Sequence, residues 1–279
     1  MTTLLPYERE PPVGDWLQGA AAVCLLTFDV DAEAPILAEG EQFARDLSTM
    51  SHQAYGPRVG VPRILAQLDR LEVPATFFVP GLTAERWPRV VELILDAGHE
   101  VGFHTHAHHP PLRLTPEQER EDFERGLQAL RLVGAEPRGF RASYWQLTET
   151  VLDALIDSAF THDASLMDDD RPYRLHYGEG ELAELPVHWL MDDWEQYAYL
   201  PDPPIGALLR APERALEVWT AELDAMRRTH SLYVLTAHPF VSGRPSRVEA
   251  LGGFVEFARA CGDVRFERAD RLADVVLGR

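Results

Sequence analysis

The feature that most constrains this chain is an alternation of short apolar runs with longer amphipathic segments. "AAVCLLTFDVD", "ATFFVPG", "HEVGFHTH", "PRGFRAS" and "SLYVLTAHPF" have the length and composition of buried strands. Between them, "GVPRILAQLDRLEV" places Val61, Ile64, Leu65, Leu68 and Leu71 on one face, the spacing of a helix. "AERWPRVVELILDAG" is expected to be one helix ended by Gly98. "TPEQEREDFERGLQALRLVG" opens with Thr115 as N-cap and Pro116 at the first helical position, and closes on Gly134. Further helices are expected in "TETVLDALIDSAF", "APERALEVWTAELDAMRRTH", "PSRVEALGGFVEFARAC" and "ADRLADVVL". Strand–helix alternation with short connections and no repeats predicts an α/β fold with a parallel sheet or barrel. A length of 279 residues fits one such unit, so residues 1–279 are expected to form a single domain.

Charge narrows the partners. The formal net charge is −19, and all 26 basic residues are arginine. Such a surface repels phosphate backbones and anionic lipid, so neither nucleic acid nor a membrane surface is an expected partner. With no lysine, lysine-based covalent chemistry is excluded. Cys24 and Cys261 have neither metal-type spacing nor a disulfide framework. The N-terminus lacks a basic segment followed by a long apolar one, and no run is long enough to span a bilayer, so the expected location is the cytoplasm.

Polar residues gather where the expected strands end: Asp29 and Asp31, His104 and His108, Arg141, and His238. In α/β barrels that face is where active sites are assembled. Asp29 and Asp31 are two apart, so continued strand geometry would point both to one side. Two carboxylates held close repel unless a cation or a proton lies between them. The alternative, capping of a turn after the strand, is disfavoured because Glu33 and Pro35 follow without a clear helix start. The stretch "GFHTHAHHPP" holds four of the chain's 11 histidines within six residues, either as polar loop filler or as ligands. His104 and His108, spaced i and i+4, can reach one ion, and imidazole with carboxylate suits Zn²⁺ or a similar divalent metal. Two histidines and one aspartate would leave positions open for water and substrate.

Taken in order, "TFDVDAE", "HTHAHH", "GFRAS", "DDW" and "LTAHP" resemble the five motifs of polysaccharide deacetylases, carbohydrate esterase family 4. "YGPRVGVPRIL", "ATFFVPG" and "HPFVSGRPSR" look like the cytoplasmic branch of that family, with its peptidoglycan-deacetylase-like, allantoinase-like and cyclic imide hydrolase members. The resemblance covers about residues 20–275. It implies a distorted, partly open (β/α) barrel. It also implies that Asp29 is the general base, that Asp31, His104 and His108 hold a divalent metal, most readily zinc, and that Arg141 orients the base. His238 would be the general acid, with Asp193 of the fourth motif assisting its protonation. Trp194, Tyr144, Trp145 and Tyr55 are candidates for an apolar substrate wall, and His188 is a further pocket candidate. Two positions depart from the family pattern: His109 follows the second ligand histidine, and Ser143 stands where the third motif commonly has proline. His106 and His109 are expected outside the ligand set, and His52, His99, His162, His176 and His230 among ordinary surface or core groups.

The expected reaction is metal-dependent hydrolysis of a non-peptide C–N bond, in an N-acetylated sugar or a small amide. The alternative is allantoinase-like or cyclic-imide ring opening, with or without metal. A catalytically silent binding protein would be expected to have lost Asp29, His238 or a ligand, and none is lost. The substrate is expected to be a small molecule or a short glycan. Apolar segments beside "LPVHWL" and "PDPPIGALL", together with the behaviour of that branch, suggest a homo-oligomer such as a tetramer.

Overall fold

A computed structural model of the chain describes residues 5–201, 203, 204, 206 and 209–279; within "PDPPIGALL", Asp202, Ile205, Ala207 and Leu208 lie outside the described residues. Ten strands form one sheet: β1 (Glu8–Glu10), β2 (Ala22–Asp29), β3 (Thr76–Val79), β4 (Glu100–Phe103), β5 (Gly139–Phe140), β6 (His162–Asp163), β7 (Tyr173–Tyr177), β8 (Gly180–Glu184), β9 (Leu232–Ala237) and β10 (Val264–Glu267). Along β9-β2-β3-β4-β5-β6-β8 every pairing is parallel, and β7 and β1 extend the far side antiparallel. β2 is the hub. β9 pairs with it from Val23 to Phe28, while β10 pairs at Ala22–Leu25 and β3 at Thr27–Asp29. Strand pairing does not close the sheet among the described residues; β9 takes only a single bridge beyond β2, Thr236 to Asp192. This is the partly open (β/α) barrel that the family resemblance implied, and the parallel sheet that the alternation predicted.

The two-residue period of a strand sorts its side chains. On β2, Cys24, Leu26 and Phe28 pack with the surrounding helices, alongside Phe77, Phe103, Tyr233 and Leu235. Val23 and Leu25 face the lumen with Phe78, Ala164, Ala183, Leu232 and Val234, where they meet Leu272, Ala273 and Val276 of the last helix, Ala269–Leu277. That helix fills one end of the barrel. Its first amides are satisfied there: Glu100 Oε2 accepts from the Asp270 N–H (2.9 Å) and from Thr76 Oγ1 (2.7 Å), and Thr76 Oγ1 accepts from the Ala269 N–H (2.9 Å). Continuing the period brings Thr27 and Asp29 of β2, and Thr236 of β9 with His238 just beyond it, to the lumen at the opposite, C-terminal end. Among the described residues that end is left open, and a cavity lies there.

The helix Pro116–Leu132 has the expected Thr115 cap, as a full capping box with Gln118. "AERWPRVVELILDAG" departs from expectation: it forms two helices, Gly81–Arg86 and Pro88–Asp96, with Trp87 at φ −130°, ψ 52° between them. Pro88 has no N–H to give, and its ring bars the helical region to the residue before it. No helix among the described residues is long and apolar enough to cross a membrane.

Candidate active site

The ends of four strands, β2, β4, β5 and β9, supply the site, with Asp193 added from the loop beyond β8. Asp29 closes β2, and Asp31 follows with its carboxylate buried. His104 follows β4, and the loop after it turns back through Thr105 (φ 59°) and His108 (φ 57°). Left-handed backbone is uncommon without glycine and needs local support. Part of that support is a hydrogen bond of 2.7 Å between the Thr105 and Ser143 hydroxyls, which ties this loop to the one after β5. A proline at position 143 would lack that hydroxyl.

The geometry separates a ligand corner from two flanking groups. Among the described residues Asp31 Oδ1 has no hydrogen-bond partner, and His104 Nε2 and His108 Nε2 stand 3.5 and 3.7 Å from it. His104 Nδ1 lies 2.7 Å from the Arg141 carbonyl, which requires the proton on Nδ1 and leaves Nε2 as a lone pair aimed at Asp31. Burial depresses the basicity of both histidines, His108 to about 4, so both are neutral. Neutral imidazole and a buried, unpartnered carboxylate oxygen are what a divalent ion requires. Ligand atoms of Asp31, His104 and His108 all lie within 4.8 Å of one another.

On one side, Arg141 is fully buried and its Nη1 donates to Asp29 Oδ1 (2.7 Å) and Thr27 Oγ1 (2.9 Å), while Nε donates to the Ala164 carbonyl (3.1 Å). Burial alone would raise the Asp29 carboxyl, but the Arg141 charge, with smaller help from His104 and His238, overcomes it and holds Asp29 below the usual range. On the other side, burial opposes charge on His238, yet Asp193 and Asp192 outweigh it and raise His238 well above an ordinary histidine. Asp193 Oδ1 accepts from His238 Nδ1 (2.7 Å), and its Oδ2 accepts from the His238 N–H (2.9 Å) and from the Ser242 hydroxyl. His238 Nε2 is left facing Asp31 Oδ2 at 3.7 Å.

These groups share a cavity of about 540 Å³ that reaches Asp29, Asp31, His104, His108 and His238, walled by Tyr144, Trp145, Trp189 and Trp194. Tyr144 packs edge-on against His108, and Trp145 stacks on Trp189 with centroids 6.3 Å apart. Tyr55 is not brought to this wall. Its hydroxyl donates to the Gly243 carbonyl (3.2 Å), bracing the chain beyond His238. There the π-helical turn Gly56–Gly60 runs against Pro239; a Cβ on Gly60 would lie 2.8 Å from the Pro239 carbonyl carbon, so only glycine fits. His188 is exposed and accepts from the Leu190 N–H instead of lining the cavity. His106 is held away from the corner, its N–H donated to Asp122 and its ring set against Gly81. His109 faces a separate shallow groove beside Asp122.

Asp192, Ser242 and Trp189 were not singled out from the sequence. Asp192 lies 3.6 Å from His238 Nδ1, and burial raises its carboxyl to about 7. The doubled acid in "DDW" was the available signal, but it pointed to Asp193 alone.

Comparison with known proteins sets this geometry in a family. The polysaccharide deacetylase family model matches residues 54–161. A Mycobacterium smegmatis protein assigned as a polysaccharide deacetylase is 44% identical, with a TM-score of 0.92 over 96% of this chain and 95% of its own. The chain belongs to the polysaccharide deacetylase family. Peptidoglycan deacetylase of Helicobacter pylori is 28% identical across 90% of this chain and 94% of its own. The fold is shared by an allantoinase at 21% identity, with a TM-score of 0.80 over 95% of this chain and 93% of that one. As a polysaccharide deacetylase family member, the protein is a hydrolase of non-peptide C–N bonds.

Proposed function

We propose that the protein is a metal-dependent deacetylase of a small N-acetylated sugar or amide. One observation carries this reading: an unpartnered Asp31 oxygen between two neutral histidines, flanked by a carboxylate kept ionised and an imidazole kept charged. Asp31, His104 and His108 would hold the ion, with zinc best suited to their two nitrogens and one oxygen. When bound, such an ion polarises the acyl carbonyl and makes water more acidic. Asp29 takes a proton from the attacking water, and Arg141 keeps that carboxylate ionised between turnovers. His238 gives its Nε2 proton to the departing nitrogen, so the C–N bond breaks to release an amine and not an amide anion. Asp193, bonded to Nδ1, stabilises the imidazolium before transfer and fixes the ring.

Cavity size supports a small substrate, since about 540 Å³ is the scale of a drug-sized ligand pocket. The same size supports the second reading, opening of a small cyclic amide by the same base and acid. Screening N-acetylglucosamine derivatives, acylated amines, allantoin and cyclic imides, with and without chelator, separates the two. Deacetylation abolished by chelator is the expected result, and chelator-insensitive ring opening would replace the proposal by its alternative. Asp29→Asn should lower kcat on the order of 10² or more while keeping the metal.

We take residues 1–279 as one catalytic unit because β1 pairs into the sheet and the last helix fills the lumen. Exposed Trp189, Leu190, Tyr199 and Leu209 near the cavity support association with further copies of the chain. Free Cys24 and Cys261 suit a reducing compartment such as the cytoplasm.

A further inference from the structure

Two buried carboxyls have no part in the chemistry above. Asp163 and Glu184 are direct partners in the β6–β8 ladder, so their side chains stand side by side on one face of the sheet. Gly139 and His162 pair one position earlier on β5 and β6, and Ala164 faces the lumen one position later. By the two-residue period Asp163 and Glu184 therefore point away from the lumen, behind the active site. Both residues are fully buried.

Their hydrogen bonds converge on one turn. Asp163 Oδ2 accepts from the Ser165 N–H (3.1 Å), and Asp163 Oδ1 from the Ser165 hydroxyl (2.8 Å). Glu184 Oε1 accepts from the N–H groups of Ser165 (3.3 Å) and Leu166 (3.0 Å). The turn in its turn grips Arg141 twice. The Ser165 hydroxyl accepts from the Ala142 N–H (2.9 Å), which fixes the backbone just after Arg141. The Ala164 carbonyl accepts from Arg141 Nε (3.1 Å), which fixes the guanidinium.

We propose that Asp163, Ser165 and Glu184 form a clamp behind the sheet that positions Arg141, and through it the Asp29 carboxylate, so that all three are positioning residues for the reaction. Two adjacent buried carboxyls do not both ionise, since like charges in a dry site repel strongly. Glu184 Oε2 meets no hydrogen-bond donor among the described residues, whereas both Asp163 oxygens accept hydrogen bonds from Ser165. The proton therefore resides on Glu184 and points to Asp163, and burial followed by the Asp163 charge raises the Glu184 carboxyl in keeping with this. Asp163 stays a pure acceptor, which is what holding two Ser165 donors requires.

The role rests on reading Asp29 as the base, but the clamp itself does not, so the test has one readout independent of turnover. In the full-length protein, Arg141 Nε–H exchange is followed by nitrogen NMR beside backbone amides of β9. In Ser165→Ala and Asp163→Asn, Arg141 exchange should quicken at least about tenfold relative to β9, the scale of losing a supporting hydrogen bond. On whichever substrate the wild type turns over, the same variants should lose about tenfold or more in kcat with KM nearly unchanged. Their effects should be non-additive in the double variant, because one hydrogen bond carries both. Glu184→Gln, whose amide also donates to Asp163, should stay within about threefold of wild type in kcat. Unchanged Arg141 exchange in Ser165→Ala and Asp163→Asn overturns the clamp. Equal quickening of Arg141 and β9 overturns it too, because that is simple loss of fold stability. A loss in Glu184→Gln as large as in Asp163→Asn overturns the assignment of the proton. A wild type inactive on every substrate would count against the proposed function while leaving the exchange data to decide the clamp.

Discussion

Replacing Arg141 by methionine removes a charge from the core at nearly constant volume. The guanidinium is fully buried and its Nη1 is 2.7 Å from Asp29, itself 2% exposed, so the change strands a carboxylate in a dry site. Breaking a buried pair by deleting one partner costs about 3–5 kcal/mol. At about 2–4 °C per kcal/mol for a chain of this size, Arg141→Met should lower Tm on the order of 10 °C at neutral pH. The pH dependence is the sharper test. In the parent, Asp29 sits below its unfolded value near 3.9, so its contribution is present above that pH and fades as pH falls through the lower folded value. Without Arg141 the burial effect is opposed only by the smaller influence of His104 and His238, and the folded value should rise above about 3.9. The sign then reverses, and Asp29 destabilises the variant increasingly as pH rises from about 4 toward 7. The Tm gap between the two proteins should therefore be narrow near pH 4 and widest at pH 7. Circular-dichroism melts at half-unit pH steps, with chelator in both samples, measure this directly. A gap of constant width from pH 4 to 7 would refute the electrostatic argument and leave only the lost Thr27 and Ala164 hydrogen bonds as the cause.

Elemental analysis should find about one divalent ion per chain in the parent and almost none in His104→Ala or His108→Ala; His106→Ala and His109→Ala should retain it, because their rings lie outside the Asp31 corner. Asp193→Asn should pull the basic limb of the pH–rate profile toward lower pH, since the variant's imidazolium loses its proton at lower pH than the parent's raised His238; an unmoved limb would remove Asp193 from that role. Trp189→Ala should raise KM more than it lowers kcat, because it strips the outer face of the Trp145 stack without touching Asp29 or His238. Light scattering at micromolar concentration should give a mass above that of one chain, and a monomer would end the inference of self-association.

The meeting of Asp31 with His104 and His108 was legible because it is written in short-range periods. Asp29 and Asp31 share a side through the strand's period of two, and His104 and His108 meet through a loop of four residues. The Thr115 cap was equally local. What escaped was set by distance along the chain or by competition between neighbours. Asp163 and Glu184 meet across 21 positions, through a ladder whose register no local pattern encodes. Tyr55 was expected at the substrate wall, but its hydroxyl reaches Gly243 instead, a contact fixed by the close approach of Gly60 to Pro239. The helix across Trp87 was drawn unbroken because its apolar period continues through Pro88 even though its hydrogen bonds do not.

The single Asp192–Thr236 bridge on β9 has a consequence for how such a barrel can diversify. From His188 to Ala211 the described residues form no strand ladder with the rest of the barrel beyond that bridge, yet they deliver Asp193 to His238 and bring Trp189, Trp194, Pro203 and Pro204 to the cavity. Among the described residues its backbone hydrogen bonding to β9 is that bridge and the Asp193 N–H on the Thr236 carbonyl, while Met191 and Tyr197 pack into the core. A graft that keeps those anchors and the buried residues such as Met191 and Tyr197, and replaces exposed ones such as Trp189, would leave Asp29, Asp31, His104, His108 and His238 untouched while recutting the cavity wall. One segment thus joins a buried part that holds Asp193 against His238 to an exposed part, with Trp189 on the cavity wall, and only the exposed part is open to change without disturbing the core.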